Sequence, residues 1–121
     1  MRALIVDGSA RVRTRLADRL TAARVEVLEA ADMREAQRAI EAFAPDAVLL
    51  DVHLDAETGV AGLARVRQLA SRAIIVALTN EATEVHRREC IRHGADFFFD
   101  KSVDFDRAVE LVIDAAMTRS S

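Results

Sequence analysis

Pro45-Asp46-Ala47-Val48-Leu49-Leu50-Asp51 sets a short apolar run between acids. Ala47 to Leu50 shows no polar alternation, which predicts a strand buried on both faces. Such a strand belongs inside a parallel sheet whose two faces are covered by helices. Similar runs stand on either side of it in the chain. Ala3 to Val6 is closed by Asp7, and Ala73 to Leu78 is closed by Thr79. Asp96 to Phe99 predicts another strand, with Asp100-Lys101-Ser102 as its exit loop. Val25 to Ala30 alternates Val-Glu-Val-Leu-Glu-Ala, the pattern of a strand nearer the sheet edge.

Segments of helical period separate these runs. Ser9 is a candidate N-cap for a helix to about Ala23, with Val12, Leu16, Leu20 and Ala23 on one face. Asp32 with Glu35 gives a capping-box-like start to a helix ending near Phe43, and Met33, Ala36, Ile40 and Phe43 point inward. Val60 to Ser71 carries Leu63, Val66 and Ala70 on its core face. Thr83 to His93 is a poor amphipath stopped by Gly94. Its His86 and His93 read as a solvated face, and Cys90 as a small, partly buried hydrophobe. Asp104 to Thr118 places Phe105, Ala108, Val109, Val112 and Ala116 together. Five strand–helix units in strict alternation predict an α/β fold. Its form is a doubly wound five-stranded parallel sheet, flavodoxin-like, with strand order 2-1-3-4-5.

Composition bounds the function. The chain has 121 residues, enough for one core, so a single domain over 1–121 with no output domain in this chain is expected. Hydrophobic residues make up 51% and charged residues 31%, which excludes a disordered tail. The net charge is −3 and the 17 cations form no block, so direct nucleic-acid binding is not expected. The single cysteine excludes a disulfide framework and a multi-cysteine zinc site, and sets a cytoplasmic expectation. No apolar run is long enough for a membrane span. Sixteen of the 17 cations are arginine; Lys101 stands alone.

In open parallel sheets, chemistry gathers beyond the carboxyl ends of the strands. The residues that close the strands here are Asp7, Asp51, Thr79 and, through Asp100, Lys101. In the expected order they face a common crevice. A carboxylate pair, a hydroxyl and an ammonium suit phosphoryl transfer to a carboxylate: one acid is the nucleophile, a divalent cation relieves the repulsion, and hydroxyl and ammonium meet the phosphoryl oxygens.

The chain resembles the receiver domains of two-component response regulators over essentially its whole length. The likeness rests on Leu4-Ile5-Val6-Asp7 with Ser9, on Pro45 to Asp51, and on Gly59 eight residues after Asp51. Ala77-Leu78-Thr79 and Gly94-Ala95-Asp96 through Lys101 complete it. The resemblance implies Asp51 as phosphoryl acceptor, and Mg²⁺ held by Asp7, Asp51 and the backbone carbonyl of His53. It implies Thr79 as switch hydroxyl, Lys101 as the contacting ammonium and Phe98 as the aromatic switch residue. A histidine kinase or phosphotransfer protein is the implied donor. A dimer or effector surface is expected on the fourth helix, fifth strand and fifth helix, at Phe98, Leu111 and Ala115. No enzyme activity is implied beyond self-catalysed phosphoryl transfer to Asp51 and autodephosphorylation.

The sequence departs from the family pattern at three positions of the site. Gly8 replaces the second of two adjacent acids, so weaker Mg²⁺ binding is expected. Asp55 and Glu57 are the candidate substitutes. Ser102 replaces a proline after Lys101, and a cis bond before serine would cost about 3 kcal/mol, so a trans bond is expected. Asn80 replaces a small residue after Thr79. These departures make a degenerate receiver, acting as a phosphorylation-independent interaction module, the alternative reading. A flavodoxin-like cofactor-binding domain fits less well, because no glycine-rich loop follows the first strand. Asp51-Val52-His53 also resembles the Asp-x-His of cobalamin-binding domains, but Ala56 stands where that motif has glycine.

Overall fold

The computed structural model describes residues 1–53 and 59–120. In chain order the elements are β1 (Arg2–Val6), α1 (Ala10–Ala22), β2 (Glu26–Ala30), α2 (Met33–Phe43) and β3 (Ala47–Asp51). There follow α3 (Gly59–Leu69), β4 (Ile74–Thr79), α4 (Glu84–Arg92), β5 (Phe97–Asp100) and α5 (Phe105–Ser120). The sheet has the order β2-β1-β3-β4-β5, and all four pairings are parallel. This is the expected doubly wound architecture. No helix among the described residues is long and apolar enough to cross a membrane.

Strand alternation divides the core in two. Leu4, Val6, Val48, Leu50, Ile75 and Ala77 face one side, where Ala36 and Ile40 of α2, Leu63 and Val66 of α3 and Cys90 of α4 cover them. Ala3, Ile5, Ala47, Leu49, Val76 and Leu78 face the other, covered by Leu16 and Leu20 of α1 and Ala108, Val109 and Val112 of α5. A strand with apolar residues at consecutive positions feeds both layers at once, so these runs show no polar alternation. β2, at the edge, buries only its last residue, Ala30. Two sequence expectations need correction. Ala23 is exposed as the C-cap of α1, and Cys90 is fully buried, because the helix phase turns it straight onto the sheet.

Local chemistry sets the helix ends. Ser9 Oγ accepts the Val12 N–H at 3.3 Å. Asp32 Oδ1 accepts the Glu35 N–H at 2.8 Å. Glu35 returns its carboxylate to the Ala31 N–H at 3.3 Å, one residue before the cap, so the reciprocal box is displaced by one position. α2 ends on Ala44 in the left-handed region, φ 49°, and Pro45 prevents continuation.

Arg67 of α3 ties three segments at the amino end of the sheet. Its Nε donates to Gly94 O at 2.9 Å, Nη1 to Ala73 O at 2.9 Å, and Nη2 to Asp96 Oδ2 at 2.6 Å. Asp96 Oδ2 also accepts the Ile75 N–H at 2.8 Å. Gly94 is required here: its φ is +118°, and a Cβ would stand 2.8 Å from Arg67 Cβ. Arg67→Ala leaves three carbonyls, those of Gly94, Ser71 and Ala73, without the guanidinium donor, and we expect a loss of about 2 kcal/mol in urea unfolding. A loss below about 0.5 kcal/mol, the scale of ordinary surface substitutions, would show that water replaces the guanidinium fully.

Candidate functional site

Parallel register brings the closing residues of β1, β3 and β4 level. Val6 pairs with Leu50, Asp51 with Leu78, and Thr79 with Asp100. Asp7 and Lys101, each one residue beyond its strand, therefore meet Asp51 above the sheet. They line an open cleft of about 560 Å³ with Gly8, Asn80 and Ser102. That is room for a small phosphorylated group.

Each acid is aimed by its own turn. Asp7 Oδ1 accepts the Ser9 N–H at 2.9 Å, and Asp51 Oδ1 accepts the His53 N–H at 3.0 Å. Their second oxygens converge on one ammonium. Lys101 Nζ lies 2.6 Å from Asp7 Oδ2 and 3.2 Å from Asp51 Oδ2. Asp7 is 2% exposed, and Asp7 Oδ2 has the Lys101 ion contact but no well-directed hydrogen bond. Two carboxylates sharing one cation leave the group net negative. Compact, single-point ammonium geometry suits this shared position better than a planar guanidinium, which accounts for the one lysine in an arginine-rich chain.

Thr79 is fully buried, and its Oγ1 accepts the Glu81 N–H at 3.0 Å. Its carbonyl accepts the Lys101 N–H at 2.8 Å, so the hydroxyl and ammonium positions share one backbone link. No peptide bond among the described residues is cis, so the Lys101–Ser102 bond is trans, as expected.

Ser102 has a positive role where a proline would have none. Asp100 Oδ1 accepts its Oγ–H at 2.7 Å, its N–H at 2.8 Å and the Val103 N–H at 3.2 Å. These bonds, the Ser102 hydroxyl first, hold the Asp100 carboxyl below its ordinary pKa. A carboxylate depressed in the folded state contributes stability above its unfolded pKa and loses it as pH falls through the folded value. We expect the Asp100 carboxyl to titrate below ordinary aspartates in NMR, and Ser102→Ala to raise it; an unchanged midpoint in that variant would contradict the assignment of cause.

Sequence reading missed His86. It is not on a solvated face. Its ring stacks on His53 at 5.0 Å between centroids and 18° between planes, and meets Phe98 edge-on at 5.6 Å and 78°. Burial and the neighbouring His53 lower its pKa, against an opposing pull from Glu81. The signal was present: His86 and the fully buried Cys90 are four residues apart on α4 and share a face. His93 instead sets Nδ1 2.8 Å from Glu89 O.

Phe98 packs against the α2–α3–α4 layer and Leu111 against the α1–α5 layer, while Ala115 is half-buried. The exposed large apolar side chains on α4, β5 and α5 are Val85, Ile91, Phe97 and Met117. Asp55 and Glu57 lie outside the described residues.

Mg²⁺ keeps several waters and needs only one or two protein carboxylates. Asp7 Oδ2, buried and short of hydrogen bonds, faces Asp51 Oδ2 across a single ammonium, and this donor set fits a divalent cation at reduced charge. Among the described residues no three His, Cys, Asp or Glu side chains converge as a metal cluster. The fit is therefore that of a two-acid site with Gly8 where a third could stand.

The profile of the response regulator receiver domain family matches residues 3–113. The chain belongs to that family. A two-component response regulator from Clostridium difficile is 19% identical, with a TM-score of 0.89 over 100% of this chain and 99% of that one. A Burkholderia pseudomallei response regulator, solved with a phosphorylated aspartic acid, calcium and citrate, is 21% identical. Its TM-score is 0.81 over 99% of this receiver domain and 72% of that chain. The receiver domain of Saccharomyces cerevisiae Ssk1, solved with the histidine phosphotransfer protein Ypd1, is 18% identical. Its TM-score is 0.79 over 89% of this chain and 83% of that one. No curated protein matches the chain. Receiver domains are signalling switches of two-component systems and in general not enzymes.

Proposed function

We propose that this receiver domain is a phosphoryl-accepting switch, with Asp51 taking the phosphoryl group from a histidine kinase or phosphotransfer protein. The observation that supports this best is the pair of carboxylates, Asp7 and Asp51, held on one lysine ammonium at the carboxyl edge of the sheet. An Asp51 carboxylate oxygen attacks phosphorus, the bond from phosphorus to the donor nitrogen breaks, and an acyl phosphate forms. Asp7, Asp51 and the His53 carbonyl would hold Mg²⁺, which would supply charge neutralisation there. Lys101, released from the Asp51 carboxylate, pairs with the phosphoryl oxygens. Thr79 Oγ1 turns its hydroxyl toward the same oxygens, which loosens its bond from the Glu81 N–H. That local change biases the domain between two populations. The Burkholderia and Saccharomyces structures, with their phosphorylated aspartic acid and phosphotransfer partner, are consistent with this reading.

A phosphorylation-independent interaction module is the second reading, and Gly8 favours it by removing a metal ligand. Beryllofluoride with Mg²⁺, which mimics the phosphoryl group, separates the two. We expect it to shift the amide resonances of His53, Thr79 and Lys101 in the native protein and to leave Asp51→Asn unmoved. Silence in both proteins would favour the interaction module.

A further inference from the structure

His86 belongs to no motif of the acceptor site, yet it touches two parts of that site. The Asp51 carboxylate holds the His53 N–H at 3.0 Å, the His53 ring lies flat on His86, and the His86 ring meets the Phe98 ring edge-on. Phe98 pairs on the sheet with Ala77, two residues before Thr79. The rings therefore join the turn after Asp51 to β5 by way of α4. We propose that His86 is a positioning residue that couples the Asp51 turn to Phe98, so that modification at Asp51 releases the Phe98 ring and α4 together. This rests on the reading of Asp51 as acceptor.

The cluster is built to hold and to yield. The backbone of His86 is fixed, because Thr83 Oγ1 accepts its N–H at 3.1 Å at the start of α4. Cys90, four residues on, anchors the same helix face in the core. The ring packs flat on His53 and edge-on against Phe98, and His86 Nε2 is buried with no hydrogen-bond partner among the described residues. A buried unpaired nitrogen disfavours the closed stack, while ring contact favours it, so the two opposing effects leave the arrangement near balance. His53 Nε2 also stands 3.9 Å from Glu81 Oε2, which brings the β4–α4 loop close to the same cluster. Phosphorylating the Asp51 carboxylate brings a bulky dianion beside the turn that carries His53. The turn has to shift, and the stack on His86 is the contact with least to oppose that shift.

NMR of the native protein, His86→Ala and His86→Phe tests this, with intact mass recorded on the same samples. Without phosphodonor, His86→Ala is expected to shift both the His53 amide and the Phe98 ring resonances, while His86→Phe, which keeps a flat ring, shifts them much less. If either group stays unmoved in His86→Ala, the coupling is overturned. After acetyl phosphate and Mg²⁺, the Phe98 response is expected in the native protein and His86→Phe and lost in His86→Ala, although all carry the adduct. An equal response in His86→Ala overturns the coupling. Absence of adduct from the native protein overturns the acceptor reading instead, and the first comparison then decides the coupling alone. His53→Ala supplies the same comparison from the other end of the stack if His86→Ala does not fold.

Discussion

Lys101→Ala is expected to destabilise the domain by about 3–5 kcal/mol, the usual cost of breaking a buried ion pair by removing one partner. The cost arises because Asp7 and Asp51 remain. Asp7 is 2% exposed, its Oδ1 is committed to the Ser9 N–H, and its Oδ2 keeps no partner among the described residues once the ammonium is gone. Asp51, with 12% of its side chain exposed, stands across the same gap. Two neighbouring carboxylates without a cation repel at short range in poor solvent. Mg²⁺ should therefore stabilise the variant more than the native protein, because the metal and the ammonium answer the same pair of charges. Urea unfolding with and without Mg²⁺ measures both effects. A variant as stable as the native chain, or one indifferent to Mg²⁺, would mean that the carboxylates do not depend on Lys101. Lys101→Arg is expected to recover only part of the loss, since a planar fork does not reproduce one point of charge between two oxygens.

Gly8→Asp is expected to tighten Mg²⁺ binding by about tenfold or more, which corresponds to roughly 1.4 kcal/mol or more of added ligand interaction. Position 8 lines the cleft beside Asp7, and its backbone does not require glycine. Positive φ among the described residues occurs at Arg24, Ala44 and Gly94. A side chain is therefore admitted there, and a third carboxylate adds both charge and an oxygen ligand. Calorimetric titration of the native and substituted proteins gives the ratio directly. Equal affinities would show that another residue already supplies the missing acid, with Asp55 and Glu57 the first to replace in turn.

The fold was legible in the sequence because two-sided burial writes itself as unbroken apolar runs. Ala3 to Val6, Ala47 to Leu50 and Ala73 to Leu78 could not be read as surface strands, and the acid or hydroxyl that closes each run marks the carboxyl edge. The meeting of these side chains was legible for the same reason: Asp7, Asp51, Thr79 and Lys101 are tied to strand ends, and parallel register brings those ends level at one edge of the sheet. What strand logic does not reach was less visible. His86 lies on a helix whose polar composition hides its phase, and only the four-residue step to Cys90 reveals that it turns inward. Leu111 is expected from the sequence on a partner surface, yet it is partly buried and packs against the α1–α5 layer. Ser102 read only as a missing proline, whereas its N–H and hydroxyl close the turn on Asp100 that carries Lys101 into the cleft.

The central claim is that Asp51 accepts a phosphoryl group. The most direct measurement is the intact mass of the protein after incubation with acetyl phosphate across a wide range of Mg²⁺ concentrations, beside an Asp51→Asn control. The account predicts a gain of one phosphoryl group in the native protein, dependent on Mg²⁺ and absent from the control. No gain at any Mg²⁺ concentration, or an equal gain in Asp51→Asn, would contradict it.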